Sequence, residues 1–413
     1  MSPRKISSSR KGLCVTRGLY PFLLVAGIGA VCLTLFIPET SVKAATKAET
    51  RGYLITKFGY AEYYGDFAKD CPEGFQRTTY ENFLFSLDAA ERERLLKPEN
   101  ATELGRHWKG EFTRGPNGED LCNNPRSFVG DPRHPVNRLE QSKKAFGLNL
   151  DGTSDGRGTS KSCTHQKFVG PNGEPGIDNQ AFRAIGCGKL WHGPNAQEEG
   201  DEAGFMLQWM KDGIRNYVME IRGIGDMRND DVEVSIYSTE SKPIVDAANN
   251  FLNNQTMEIT RNPRWHNTFH GRIIDGVLTT DTADVVRLRG PIQLGVKGLA
   301  HEQEFHRAKF QLKLNDNGTV KGVMGAYMTP EDFNEISAYG GIGHCAISNV
   351  DAGSEFNAVK ALADGMPDPK TGECTMTSMA YHVEAVPAYL LHPDALSAEE
   401  PPMGAAGLHL GGE

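Results

Sequence analysis

The sequence predicts a mainly β protein: an antiparallel β-sandwich of jelly-roll or lectin-like type, with accessory short helices and long ordered loops. Three observations carry this. From Tyr217 onward apolar residues recur with period two in short runs, the pattern of strands with one buried face. Asp316-Asn317-Gly318 separates two such runs and reads as a hairpin turn. Glycine accounts for 46 of 413 residues, enough to supply the turns that many short strands need.

The elements follow in order. Tyr53, Ile55 and Lys57 alternate with Leu54, Thr56 and Phe58, which predicts a strand within 46–70. Ser86 is placed to cap a helix running to Leu96, and Pro98 suits the first turn of another. Residues 114–147 are rich in Gly, Pro and Asn and read as an ordered, irregular surface segment. The pentapeptide GPNGE occurs at 115–119 and 170–174 and reads as one turn used twice, since Pro-Asn-Gly suits a β-turn. Asp178 is the expected cap of a short helix through Ile185, and Glu202–Ile214 is a second helix. Strands are then expected at 217–222, 232–236, 257–261, 268–274, 285–288 and 293–296, followed by the hairpin Phe305–Leu314 and Thr319–Met324. Residues 353–364 read as a helix and 375–386 as a last strand. These divide the chain into a leader (1–44), an N-terminal mixed α/β segment (45–145), the sandwich with its acidic Gly-rich loop (146–340), a C-terminal helix-strand segment packed on it (341–396), and a disordered tail (397–413).

The leader has five cationic residues between Arg4 and Arg17, a mostly apolar run from Leu19 to Ile37, and Val42-Lys43-Ala44, which fits a signal peptidase site. A cleaved signal is the reading preferred over an anchor in the inner membrane through 19–37. The leader holds six Lys or Arg and one acid, so the rest of the chain carries 38 basic and 52 acidic residues, a net charge of −14. That balance excludes a nucleic-acid partner, which needs clustered cations. It limits membrane attachment to an uncleaved leader, and it favours divalent cations. Hydrophobic content of 38% and charged content of 23% exclude a disordered chain. Six cysteines remain beyond the leader: Cys71, Cys122, Cys163, Cys187, Cys345 and Cys374. An even number in an exported chain points to disulfides in the periplasm or outside the cell. Sequential pairing, Cys71–Cys122, Cys163–Cys187 and Cys345–Cys374, is the expectation.

The candidate site is the stretch Leu148–Cys187. Asn149, Asp151, Thr153 and Asp155 place oxygens at alternate positions in a Gly-rich loop, and Asp178 and Asn179 follow. Calcium takes six to eight oxygens, and such a loop can converge on one ion. Asp151-x-Thr153-x-Asp155-Gly156 partly matches an EF-hand loop, but Ser162 stands where the bidentate Glu belongs. The expectation is therefore a structural, non-helical calcium site. The competing reading is that Asp, Asn and Gly build turns by bonding their own backbone. Asp226, Asn229, Asp230 and Asp231 form a second candidate metal loop between two strands, where a plain turn is the stronger reading.

Other constellations fail. His301 and His306 are five apart, not four, so they are no zincin pair. His266 and His270 lie on a strand face about 13 Å long and need not converge. Cys345 after His344 is expected to be oxidised rather than nucleophilic. No GxSxG elbow and no phosphate-binding glycine loop occurs. Trp108, Trp191, Trp209 and Trp265 read as core rather than sugar platforms.

LNLDG (148–152), GPNGEPGIDNQ (170–180) and LADGMPDPKTGECT (362–375) resemble an uncharacterised family of exported proteobacterial-type proteins with no assigned activity. The resemblance implies export and carries no catalytic residue across. The function expected is an exported, calcium-stabilised, non-catalytic binding protein for a glycan or a protein ligand. The alternatives are an extracellular glycan-active hydrolase using a carboxylate pair, and an envelope structural or assembly protein.

Overall fold

The computed structural model describes residues 48–121, 124–192, 200–292, 300–339 and 350–393, all within one compact unit. The elements in order are β1 (Glu49–Tyr60), α1 (Phe67–Asp70), α2 (Thr79–Ser86), α3 (Ala89–Leu95), α4 (Ala101–Arg106), α5 (Gln180–Ile185), α6 (Asp201–Asp212), β2 (Asn216–Ile224), β3 (Asn229–Thr239), β4 (Gln255–Glu258), β5 (His266–Ile274), β6 (Val277–Thr280), β7 (Ala283–Ile292), β8 (Ala300–Leu314), β9 (Val320–Met328), α7 (Pro330–Tyr339), α8 (Ala352–Ala361), β10 (Gly365–Pro367) and β11 (Cys374–Leu391).

The strands do not form the expected sandwich. They run β1-β2-β3-β5-β6-β8-β9-β11, and β11 then pairs with β1. The result is a closed, eight-stranded antiparallel barrel with β4, β7 and β10 as extra strands. Period two is common to sandwiches and barrels, because both bury one face of each strand. What separates them is whether the first and last strands meet. Here Gly52–Tyr60 pairs with Ala388–Tyr381, more than 300 residues away, and no local pattern reports that ladder. The barrel thus draws its first stave from the segment before 146 and its last from the segment after 340. Bulges at Ile55/Lys57 in β1 and at His306/Lys309 in β8 bend the wall.

Eight strands enclose a space that side chains can fill, and here they fill it. Phe58 stacks on Tyr381 at 4.9 Å and meets Tyr217 and Phe305 edge-on. Met219, Ile221, Val234, Phe310, Leu312 and Met324 complete an apolar lumen. Where β7 runs beside β3 and β5, side chains replace part of the ladder. Asn267 donates to the Ile236 and Arg287 carbonyls and accepts from the Arg287 amide, and Ser238 accepts from the Arg289 amide.

Helix boundaries shift slightly from expectation. Asp88, not Ser86, caps α3; Ser86 ends α2, whose start is a capping box of Thr78 and Glu81. Asn179, not Asp178, caps α5. The helices around α2–α4 close over a small core of Phe83, Leu95 and Phe112. Buried polar bonds fasten them to α8: Asp351 caps α8, accepts from Asn82 at 2.7 Å, and pairs with His134 at 2.7 Å. Trp191 and Trp209 are core residues. The expected strand at 293–296, the leader, Cys122, Cys345 and the tail lie outside the described residues.

The disulfides differ from the sequential expectation. Cys71 bonds Cys187, and Cys163 bonds Cys374. Barrel closure carries the start of β11 to the loop holding Cys163, so spacing along the chain is a poor guide to partner choice.

Candidate functional site

The long loop between 139 and 178 is closed on itself by short bridges at Leu148↔Asp178 and Phe168↔Ile177 and is tied to β10 by Ser162↔Gly365. Leu148 and Leu150 pack on Tyr327 of β9. Inside this loop some of the expected ligands converge and others do not. Asp151 and Asp178 both present a carboxylate oxygen to Lys167, at 2.7 and 2.5 Å, with all three side chains buried. His165 meets the same Asp178 oxygen at 2.7 Å and lies 3.5 Å from Asp364. A chain of alternating charge results: Asp151, Lys167, Asp178, His165, Asp364. Burial, and after it the Asp364, Asp178 and Asp151 carboxylates, push the ionisation of the Tyr327 hydroxyl upward, with Arg307 acting the other way.

The remaining expected ligands serve the backbone. Asn149 accepts from the Gly152 amide and donates to the Thr153 carbonyl. Thr153 donates to Asp151 through both its amide and its hydroxyl. Asp155 turns outward to Arg157 at 2.6 Å. Asn179 donates to the Ala61 and Phe146 carbonyls. The second acidic loop forms a turn between β2 and β3: Asp230 accepts from the Gly225 and Asp226 amides, Asp226 accepts from the Arg228 amide, Asn229 accepts from the Asp275 amide, and Asp231 faces Arg272 at 3.8 Å.

Charge states in the buried centre follow from geometry. Burial works to raise Asp151, but Lys167, the Thr153 amide and the Ser162 hydroxyl outweigh it and hold the carboxyl at about 2. Burial works to lower His165, but Asp178 and Asp364 outweigh it and raise the imidazole. For Asp364 burial wins, with only partial relief from His165 and Ser378, and the carboxyl rises to about 7. The Lys167 ammonium lies between two of the acids expected to ligate a cation, and Asp151, Asp178 and His165, with ligand atoms within 4.8 Å of one another, form a group that could hold a metal ion.

Beside this centre lies an open cleft of about 640 Å³. Its floor is the outer wall of β8, β9, β11 and β1. Its rim is Phe146–Asn149 and the second GPNGE turn, closed by Gly170 donating to Glu174 with Asn172 bonded to the Glu174 carboxylate. The first GPNGE copy makes the same bonds through Gly115, Asn117 and Glu119, as expected of a repeated turn. Across the floor the ladder sets one row: Lys313 opposite Lys321, Lys321 opposite Glu384, Glu384 opposite Lys57. Lys309 lies four residues along β8 from Lys313 and lines the same cleft. Glu384 neutralises Lys321 at 2.9 Å. Lys309 and Lys313 have no carboxylate partner among the described residues.

No family model, curated protein or solved structure matches the chain. Sequence reading missed this row although the signal was present. The Asp316-Asn317-Gly318 turn fixes the hairpin register, and that register puts Lys313 across from Lys321. His165 and Lys167, two apart in extended backbone, were the corresponding signal for the buried centre.

Proposed function

We propose that this protein is a non-catalytic binding protein for an organic anion, seated in the lysine-lined cleft on the outside of the barrel. The observation that carries the reading is Lys313 directly opposite Lys321. Like charges at such a cross-strand pair destabilise a sheet, and this chain is acidic, with a formal net charge of −9. A lysine pair maintained against that repulsion, in a chain with few cations to spare, is accounted for by a ligand that neutralises it. The cleft volume falls in the range of small-ligand sites. The filled lumen leaves the outer wall as the place for a ligand. The two disulfides favour an oxidising compartment outside the cytosol. Among the described residues no helix is long and apolar enough to cross a membrane.

Calorimetry with tripolyphosphate at low salt tests the reading. The protein should bind it with an affinity that falls as salt rises. The K313Q/K321Q variant should lose at least tenfold in affinity while its melting temperature stays level or rises, because the like-charged pair is gone. Unchanged affinity in that variant would remove the basis for the proposal.

A further inference from the structure

We infer that the anion is the head of a single-chain amphiphile whose hydrocarbon chain enters a second hollow, under α6. This deepens the anion-binding reading and rests on it. The second hollow, of about 360 Å³, lies between α6 and β1. Met206, Leu207 and Met210 of α6 line it, with Phe251 and Val386 opposite. Lys57, His382 and Glu384 line both this hollow and the lysine cleft, so the two adjoin along the outer wall of β1 and β11. A ligand occupying both meets ammonium groups at one end and thioether and hydrocarbon surface at the other.

The chemistry of the second hollow fits a chain better than a ring or a sugar. Methionine side chains are flexible and polarisable and adapt to irregular apolar ligands. Leu207 is 39% exposed and Leu252, next to Phe251, is 40% exposed, so apolar surface continues outside the hollow. Leu252 is bonded through its amide to Ile244, itself 58% exposed. Polar groups border the hollow too: Glu62, which accepts from the Tyr64 hydroxyl at 2.5 Å, and Lys211, whose ammonium lies over the Phe251 ring. The number of lysines and the apolar lining together set the orientation, head toward Lys57, Lys313 and Lys321, chain toward Met206 and Met210. In barrels that hold a ligand in the lumen the interior is open; here Phe58, Tyr217, Phe305 and Tyr381 occupy it, and the apolar space has moved outside.

The test is calorimetry of the full chain with two homologous series below their micellar concentrations, n-alkyl phosphates and n-alkanoates, against inorganic phosphate and acetate. Affinity should rise about fourfold per methylene, as expected for burial of each group, and then level off when the hollow is full. Comparison of the two series separates a phosphate head from a carboxylate head. In L207E, an exposed position that leaves the core intact, the dependence on chain length should fall while tripolyphosphate affinity stays within twofold. Methyl NMR gives a readout independent of variants: the Met206 and Met210 methyl signals should shift with decyl phosphate and not with inorganic phosphate. Anion binding without any dependence on chain length, or a dependence unchanged in L207E with silent methionine signals, would overturn the inference and leave the anion-binding reading standing. Absence of binding by every anion, tripolyphosphate included, would remove both.

Discussion

Lys167 places its ammonium 2.7 Å from Asp151 in a buried site that it shares with Asp178. Taking one partner from a buried ion pair leaves an uncompensated charge, and that costs about 3–5 kcal/mol. K167M should therefore lower unfolding stability by about that amount in a urea titration. The same geometry predicts the response to calcium. With the ammonium in place, millimolar calcium should leave the wild-type melting temperature unchanged. In K167A the vacated space faces two carboxylates, and calcium should raise the melting temperature. A wild-type protein that gains stability with calcium and loses it with a chelator would place a metal ion among Asp151, Asp178 and His165.

Stability should fall as pH rises from 5 to 9. Burial raises Asp364 and Glu355 to about 7 and about 8, against partial relief from His165 and Ser378 for the first and from the Trp191 N–H for the second. Burial raises Glu140, beside Cys71, to about 7 as well. Each binds its proton more tightly in the folded chain. Their contribution is complete below about pH 4, where unfolded carboxyls also hold their protons. It is lost as pH climbs through 7 and 8. The raised imidazoles of His165 and His134 act in the same direction, their contribution present below the unfolded value and lost above the folded one. Asp151, held at about 2, acts oppositely, but only as pH falls below the ordinary aspartate range. E355Q keeps an acceptor for the Trp191 indole N–H and removes the charge, so it should flatten the alkaline limb of the melting curve. A melting temperature that is flat or rising between pH 5 and 9 would contradict these assignments.

What was legible in the sequence was local. Alternation located β1, β2, β3, β5, β8, β9 and β11, most directly in β5, which buries every second residue, whereas β2 is covered on both faces over Asn216–Ile221. The Asp316-Asn317-Gly318 hairpin was found because turn residues at fixed offsets signal their own geometry. What failed was pairing at a distance. The β1–β11 ladder that turns a sheet into a barrel joins residues such as Tyr53 and Pro387. The site was half legible for the same reason. Asp151 and Asp178 were singled out as acids in a turn-rich segment. The lysine between them is not a cation ligand, so the pattern of oxygens that marks Asp151 and Asp178 does not extend to it. Asp364 is brought in from almost 200 residues away, with its backbone paired to Met376 and its carboxylate to the Ser378 amide.

The disulfide pairing makes its own prediction. Cys71–Cys187 and Cys163–Cys374 close loops of 116 and 211 residues. The chain-entropy model assigns a loop of either length roughly 5 kcal/mol, and native disulfides removed from folded proteins cost about 2–5. C163S/C374S should lower stability by about 3–5 kcal/mol, and it should loosen the loop that carries Asp151 and His165. Peptide mapping without reductant should recover Cys163 joined to Cys374. Recovery of Cys163 joined to Cys187 would contradict the fold around the buried centre.

Glu384 is the single acid in the row Lys313, Lys321, Glu384, Lys57. Its carboxylate holds Lys321 at 2.9 Å and is a third exposed. At a cross-strand spacing of about 5 Å, one charge acting on another through water is worth nearly 1 kcal/mol. Removing the carboxylate frees Lys321 and takes away repulsion of an incoming anion. E384Q should therefore bind tripolyphosphate roughly fourfold more tightly at low salt, and the gain should shrink as salt screens the row. Its stability should change little, because exposed ion pairs contribute only about 0–1 kcal/mol. An equal gain at high and low salt would mean that the substitution acts through shape rather than charge. A weaker affinity in E384Q would mean that the carboxylate positions Lys321 for the ligand and that the row works as a preorganised pair rather than as a sum of charges.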